Sequence, residues 1–176
     1  MKLAKGVKKM DINIVSSAKD QMIEYFQNDV RRINHALKVF SFSQIISEKL
    51  DLDSQTSEII YLSALLHDIG IKEAFKKYNS SVGKYQEIEG PKIAEKILSN
   101  LDIPVEIVNR VCFIIGNHHS YNKIDGIDFQ ILVEADFLVN IYEDDMSMNS
   151  IKNIYKQIFK TFEGKKLMEM MYLNSD

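Results

Sequence analysis

Polar residues that interrupt apolar helical stripes are the chemically informative feature of this sequence. His35 continues a face made by Val39, Phe42 and Ile46, at +4, +7 and +11 from it. The run Leu62, Ala64, Leu65, Leu66 leads straight into His67 and Asp68, with Ser63 and Ile60 at −4 and −7 from His67. Asp136 shares a face with Phe129, Leu132, Val133 and Val139. His118 and His119 follow one turn beyond Ile115. A carboxylate on such a face is costly to bury unless it is paired or holds a metal. Each residue has a plainer reading: a core histidine bonded to a carbonyl, an aspartate whose helix phase is misread, two histidines on a solvated helix end. All four histidines of the chain nevertheless fall at the ends or on the apolar faces of predicted helices, joined by two acids. Imidazole and carboxylate together suit a divalent ion such as Mn, Fe, Co, Ni or Zn.

The elements that must position these residues are helical. Apolar spacing predicts a helix from Asp29 to about Leu50, and a second capped by Ser54 and running to His67-Asp68-Ile69-Gly70. Gly70 is expected as a left-handed helix stop. Residues 71–86 are the most polar interior stretch and read as a loop. A third helix covers about Ile88 to Leu101 with Pro91 in its first turn, a fourth runs from Pro104 to His118-His119, and a fifth from Phe129 to Glu143. The last, Asn149 to Tyr172, is expected to break near Gly164. Residues 1–15 are expected to drape over the domain.

Composition agrees with this reading. Seven glycines and two prolines in 176 residues leave few turns for a strand-rich fold, so an all-α, single-domain bundle is expected with the metal site between its helices. One cysteine, Cys112, excludes a disulfide framework and a multi-cysteine zinc knuckle. A net charge of −3 makes the chain no electrostatic magnet for nucleic acid. No apolar run approaches a membrane span, and no apolar segment follows Lys2, Lys5, Lys8 and Lys9 as a signal peptide requires. A cytoplasmic protein that binds neither membrane nor nucleic acid is expected.

The segments "RRINHALKVF", "LSALLHDIG" and "ILVEADFLVNI" resemble, in order, the first, second and last motifs of the HD-domain metal-dependent phosphohydrolase superfamily. The intervals are 31 residues between His35 and His67 and 67 between Asp68 and Asp136. The resemblance covers about residues 25–145. It implies an all-helical fold and a divalent ion (Mn, Fe, Co, Ni, Zn or Mg) held by His35, His67, Asp68 and Asp136. Relatives with two metals carry a further histidine where this chain has Gln86, and others on the next helix, matched here by His118 and His119. A weaker second ion would therefore lean on His118, His119 and Glu89, with Glu87 nearby.

A divalent ion polarises phosphate oxygens and makes hydroxide available near neutral pH. On that chemistry Asp68 binds the ion and orients the attacking water, and His118 or His119 stabilises the leaving oxygen. Lys72, Lys84, Arg32 and Arg31 are the cations expected to meet an anionic substrate, and the loop from Ile71 to Gln86 is expected to act as a lid. The expected activity is hydrolysis of a phosphoester or phosphoanhydride, with a nucleotide as substrate on family analogy.

Three other readings are weaker. A helix-turn-helix DNA binder lacks a basic face, since no Lys or Arg lies between Lys49 and Lys72. A carboxylate-bridged di-iron bundle needs paired Glu-x-x-His elements. A regulatory metal sensor without hydrolysis is the alternative that keeps the same ligands. The segment with Met168, Met170 and Met171 is read as core packing, with a homodimer surface as the alternative to a monomer.

Overall fold

The structure, a computed structural model, describes residues 12–174. Among these residues there are helices and no strands. In chain order they are α1 (Ile12–Phe26), α2 (Val30–Ser47), α3 (Ser54–Leu66), α4 (Ile71–Tyr78), α5 (Gly83–Leu98), α6 (Val105–Ile115), α7 (Ile127–Glu143), α8 (Met148–Gln157) and α9 (Phe162–Met168). A 3₁₀ turn at Tyr121–Lys123 and a π turn at Glu169–Leu173 complete them. No helix is long and apolar enough to cross a membrane among the described residues.

Two helices form the centre. In α3 every residue from Ile59 to Leu66 is buried, and α7 buries residues on most of its circumference. Such all-round burial is what a core helix shows, in place of one apolar stripe. α3 packs on α1, α2, α6 and α7, and the α2–α7 contact is the most extensive helix pairing. The start of α2 is fixed by Asp29, whose side chain accepts the Arg32 N–H at 3.2 Å. The cap of α3 is Asp53 and not Ser54: Asp53 accepts Thr56 N–H at 2.8 Å and the Thr56 hydroxyl at 2.9 Å. Each such cap satisfies an N–H that the helix itself leaves unpaired.

Several local expectations are corrected. A helix, α1, occupies Ile12–Phe26 where none is predicted. Its buried Val15, Ala18, Met22 and Phe26 have clean helical spacing. The lysines at 2, 5, 8 and 9 lie outside the described residues. The segment 71–86 is not a continuous loop, because α4 fills Ile71–Tyr78 by burying Ile71 and Ala74 while its charges face water. That leaves no long lid. Pro91 lies inside α5, not in its first turn, because α5 begins at Gly83.

Gly70 is right-handed, at φ −74°, and caps the start of α4. It is needed for a close approach instead. A Cβ there would stand 2.6 Å from Gln86 O and from Gly90 N. The turn carrying His67 and Asp68 is thus seated directly on the backbone of α5.

The C-terminal break falls at residues 158–161, not at Gly164, which lies within α9. Its cause is Glu134 on α7, fully buried. The Glu134 side chain accepts Lys160 N–H at 2.6 Å, Thr161 N–H at 2.9 Å, Gln130 Nε2 at 2.7 Å and the Thr161 hydroxyl. These donors hold the α8–α9 joint against α7. Met168 is in the core, whereas Met170 and Met171 are exposed.

Candidate metal centre

Four elements converge on one point. α2 brings His35 from its buried face, the C-terminal end of α3 brings His67 and Asp68, the middle of α7 brings Asp136, and the turn after α6 brings His118 and His119. His35, His67 and His118 are each less than 5% exposed. His35 Nε2 lies 3.1 Å from His67 Nε2 and 3.2 Å from Asp136 Oδ1. His67 Nε2 lies 3.4 Å from the same Asp136 oxygen. Asp68 Oδ2 stands 3.7 Å from His35 Nε2 and 3.8 Å from His67 Nε2.

The other ring nitrogen decides what these atoms are. His67 Nδ1 is 2.9 Å from Ala64 O, and His118 Nδ1 is 2.7 Å from Ile115 O. A carbonyl only accepts, so both Nδ1 atoms carry a proton, and in the neutral ring the lone pair lies on Nε2. His35 Nδ1 is 3.2 Å from Glu143 Oε2 and donates to that carboxylate in the same way. Three imidazole lone pairs and two carboxylates therefore face inward together. Asp136 Oδ1, His118 Nε2 and His119 Nε2 are buried with no hydrogen-bond partner.

Such a cluster requires positive charge. Burial works against charging His67, yet Asp68 and Asp136 outweigh it and push its pKa up to about 9. Burial works the other way on the two aspartates, but the histidines beside them hold both carboxyls below their ordinary range. A divalent cation fits the same position. Ligand atoms about 2.1 Å from a common ion stand about 3.0–3.4 Å apart, the spacing of His35 Nε2, His67 Nε2 and Asp136 Oδ1. The histidine–carbonyl and histidine–carboxylate bonds are also the outer partners that metal-bound imidazoles use.

Asp68 joins a second group. Its Oδ1 is 3.6 Å from His118 Nε2, and the ligand atoms of Asp68, His118 and His119 lie within 4.8 Å of one another. Burial and the neighbouring His118 push the His119 pKa down to about 4, leaving it a neutral donor of a lone pair. Glu89 is not part of this group, contrary to expectation. It sits on another face of α5, bonded to Lys77 at 2.7 Å and Tyr78 at 3.0 Å. Glu87 approaches instead, but as a latch. Its two oxygens accept His119 N–H at 3.1 Å and the Ser120 hydroxyl at 3.3 Å. Gln86 donates to Ser81 O at 2.6 Å, and its buried Oε1 has no partner.

The expected substrate cations divide. Arg32 Nη1 is 3.8 Å from Asp68 Oδ2, at the edge of the centre. Lys84 is exposed in the first turn of α5, next to Gly83, where a Cβ would meet the His119 ring at 2.4 Å. Arg31 points to Asp144, at 3.7 Å. Lys72 is misplaced by the sequence reading. It donates to Tyr25 O at 3.0 Å and lines a separate groove with Glu89, Lys77 and Lys92. On a short amphipathic helix such as α4, spacing from Asp68 does not report direction.

Two neighbours escape the sequence reading. Glu143 lies seven residues, two turns, after Asp136 on the same helix, which is the one signal that marks it. Tyr121 packs on Phe137 at 5.4 Å between ring centres. Burial first, then the charges of Asp136 and Glu87, push its hydroxyl up to about 12.

Comparison with known proteins gives a family and a fold. The sequence matches the HD domain family over residues 32–160. The fold is similar to a solved structure from an uncultured Thermotogales bacterium, a predicted HD superfamily hydrolase. The two share 21% identity at a TM-score of 0.62, over 91% of this chain and 83% of the other. No curated protein matches the chain.

Proposed function

Since the chain belongs to the HD domain family, we propose that it is a divalent-metal-dependent phosphohydrolase acting on a phosphoester or phosphoanhydride, with a nucleotide as substrate. The observation that carries this reading is the convergence of His35, His67, Asp68 and Asp136 through lone pairs whose direction is set by hydrogen bonds on the far side of each ring. When bound, a divalent ion supplies Lewis-acid polarisation of phosphate oxygens and an acidified water. The chain's own residues do the rest. Asp68 faces both groups of ligands, so one oxygen serves the His35–His67 side while the other orients or deprotonates a nucleophile beside His118. His118, its Nδ1 fixed on Ile115 O, turns Nε2 toward Asp68, where it takes the nucleophile's proton and returns it to the leaving oxygen. Arg32 presents a guanidinium beside Asp68, where a phosphoryl group would sit. The nucleotide assignment rests on analogy with the family.

The test is metal analysis of the purified protein, then a panel of nucleotides and simple phosphoesters with Mn²⁺. Asp68→Ala is expected to lose activity by at least about 1000-fold, the scale of losing a group used only in the transition state. A metal-loaded wild type inert on the whole panel, or an Asp68→Ala variant with normal turnover, would overturn the proposal.

A further inference from the structure

Of the three histidines that turn Nε2 toward the centre, two are held by their own backbone. His67 and His118 each donate to the carbonyl three residues earlier, at 2.9 Å and 2.7 Å. That partner comes with the helix end and no side-chain change removes it. His35 sits in the middle of α2, where the carbonyls are engaged in the helix, and so its Nδ1 needs a partner from elsewhere. That partner is Glu143 Oε2, at 3.2 Å, reaching from the last turn of α7. The side chain of Glu143 is only 13% exposed, and its other oxygen is gripped by Lys38, which projects from the same side of α2 as His35, three residues on.

We propose that Glu143 is a positioning residue for His35: its carboxylate holds the His35 Nδ1–H, and so selects the tautomer and aims the Nε2 lone pair at the ion. This rests on the metal reading above. Two requirements of α7 then explain its spacing. Asp136 reaches the ion directly, and Glu143, two turns later on the same face, steadies the ligand that arrives from the opposite helix. A carboxylate behind an imidazole also raises the basicity of the ligating nitrogen, which a backbone carbonyl does less strongly. Lys38 tempers that charge without touching the histidine.

A structural ion pair between α2 and α7 is the competing account, and it predicts equal losses from either end of the pair. Three variants separate the two, Glu143→Ala, Glu143→Gln and Lys38→Met. Each is freed of metal and titrated with Co²⁺, read by its visible absorption, beside the metal-free melting temperature. Glu143→Ala is expected to bind Co²⁺ about 10–100-fold more weakly than wild type, the usual cost of removing a partner behind a metal-bound histidine. Glu143→Gln keeps a neutral acceptor and is expected to lose less, about threefold or more, since a charged acceptor makes a bond roughly twice as strong. Lys38→Met is expected to hold or tighten the affinity. Equal weakening in Lys38→Met and Glu143→Ala, or Co²⁺ affinity within twofold of wild type in Glu143→Ala, overturns the proposal. If Glu143→Ala fails to fold, Glu143→Gln within twofold of wild type overturns it as well. A wild-type chain that takes up no Co²⁺ overturns the metal reading and this inference with it. Tight wild-type binding that Glu143→Ala matches overturns only the role of Glu143.

Discussion

Glu134 and Asp136 stand two residues apart on α7, each with a carboxylate oxygen sealed from solvent, and they do opposite things. Glu134 is surrounded by donors, among them two backbone N–H groups, the Thr161 hydroxyl and the Gln130 amide. Asp136 faces the Nε2 atoms of His35 and His67, and its Oδ1 has no hydrogen-bond partner. A buried carboxyl among donors is complete, and it fastens the α8–α9 joint to α7. A buried carboxyl among lone pairs is incomplete until a cation arrives. Burial alone therefore does not mark a functional acid. The character of the atoms opposite it does.

The contrast can be tested from either side. The largest effect is expected from Asp136→Asn, which should weaken Mn²⁺ binding by at least about 1000-fold, beyond the 10–100-fold of a residue that only orients a ligand. The metal-free variant should lose less stability than Glu134→Ala, because the new amide donates to a neutral histidine Nε2 in place of the charge pair that Asp136 makes with a protonated His67. A metal-free Asp136→Asn no more stable than Glu134→Ala would break the contrast. Glu134→Ala should do the reverse. It strands buried N–H donors at about 1–3 kcal/mol each, so a loss of about 3 kcal/mol and a melting temperature lower by about 6–12 °C are expected. Its Mn²⁺ affinity should stay within about threefold of wild type when measured by calorimetry, since an intact centre is unaffected by distant, independent changes.

Metal addition itself sharpens the comparison. Saturation at 100 times the dissociation constant should stabilise the wild type by about 2.7 kcal/mol, seen as a rise in melting temperature that a chelator reverses. Asp136→Asn should show none of this rise, and Glu134→Ala should show all of it. The smallest effect is expected from Gly164→Ala. Its Cβ would fall 1.9 Å from Glu134 Oε2, so the joint must shift. A loss of about 1–3 kcal/mol without change in metal affinity is expected from overpacking of this kind, measured by denaturant unfolding.

The fate of particular residues shows how far a sequence carries such an argument. His35, His67, Asp68 and Asp136 are legible because each breaks an apolar period, and a helix period is a local property of the chain. The all-helical class is legible for the same reason, together with the scarcity of glycine and proline. α1 escapes because its stripe of Val15, Ala18, Met22 and Phe26 is short of large aliphatic residues, and α4 because an eight-residue helix with one buried face looks like a polar loop. Gly70 invites a left-handed stop by its position alone, whereas its cause is the backbone of α5 standing 2.6 Å from a Cβ.

Identity and spacing along the chain thus determined which residues ride on the inner faces or at the ends of helices, and that two acids and four histidines are placed there at an energetic cost. Only the tertiary structure decided which of them meet. Glu89 pairs with Lys77 and Tyr78, Glu87 latches the His119 turn, Lys72 turns to Tyr25, and Glu143 closes on His35 from a helix 108 residues away in the chain. The reason is that helical period reports the direction a side chain takes from its own axis. The partner that satisfies a charge or a ring nitrogen belongs to another helix, and its approach is set by how the apolar faces of both pack together.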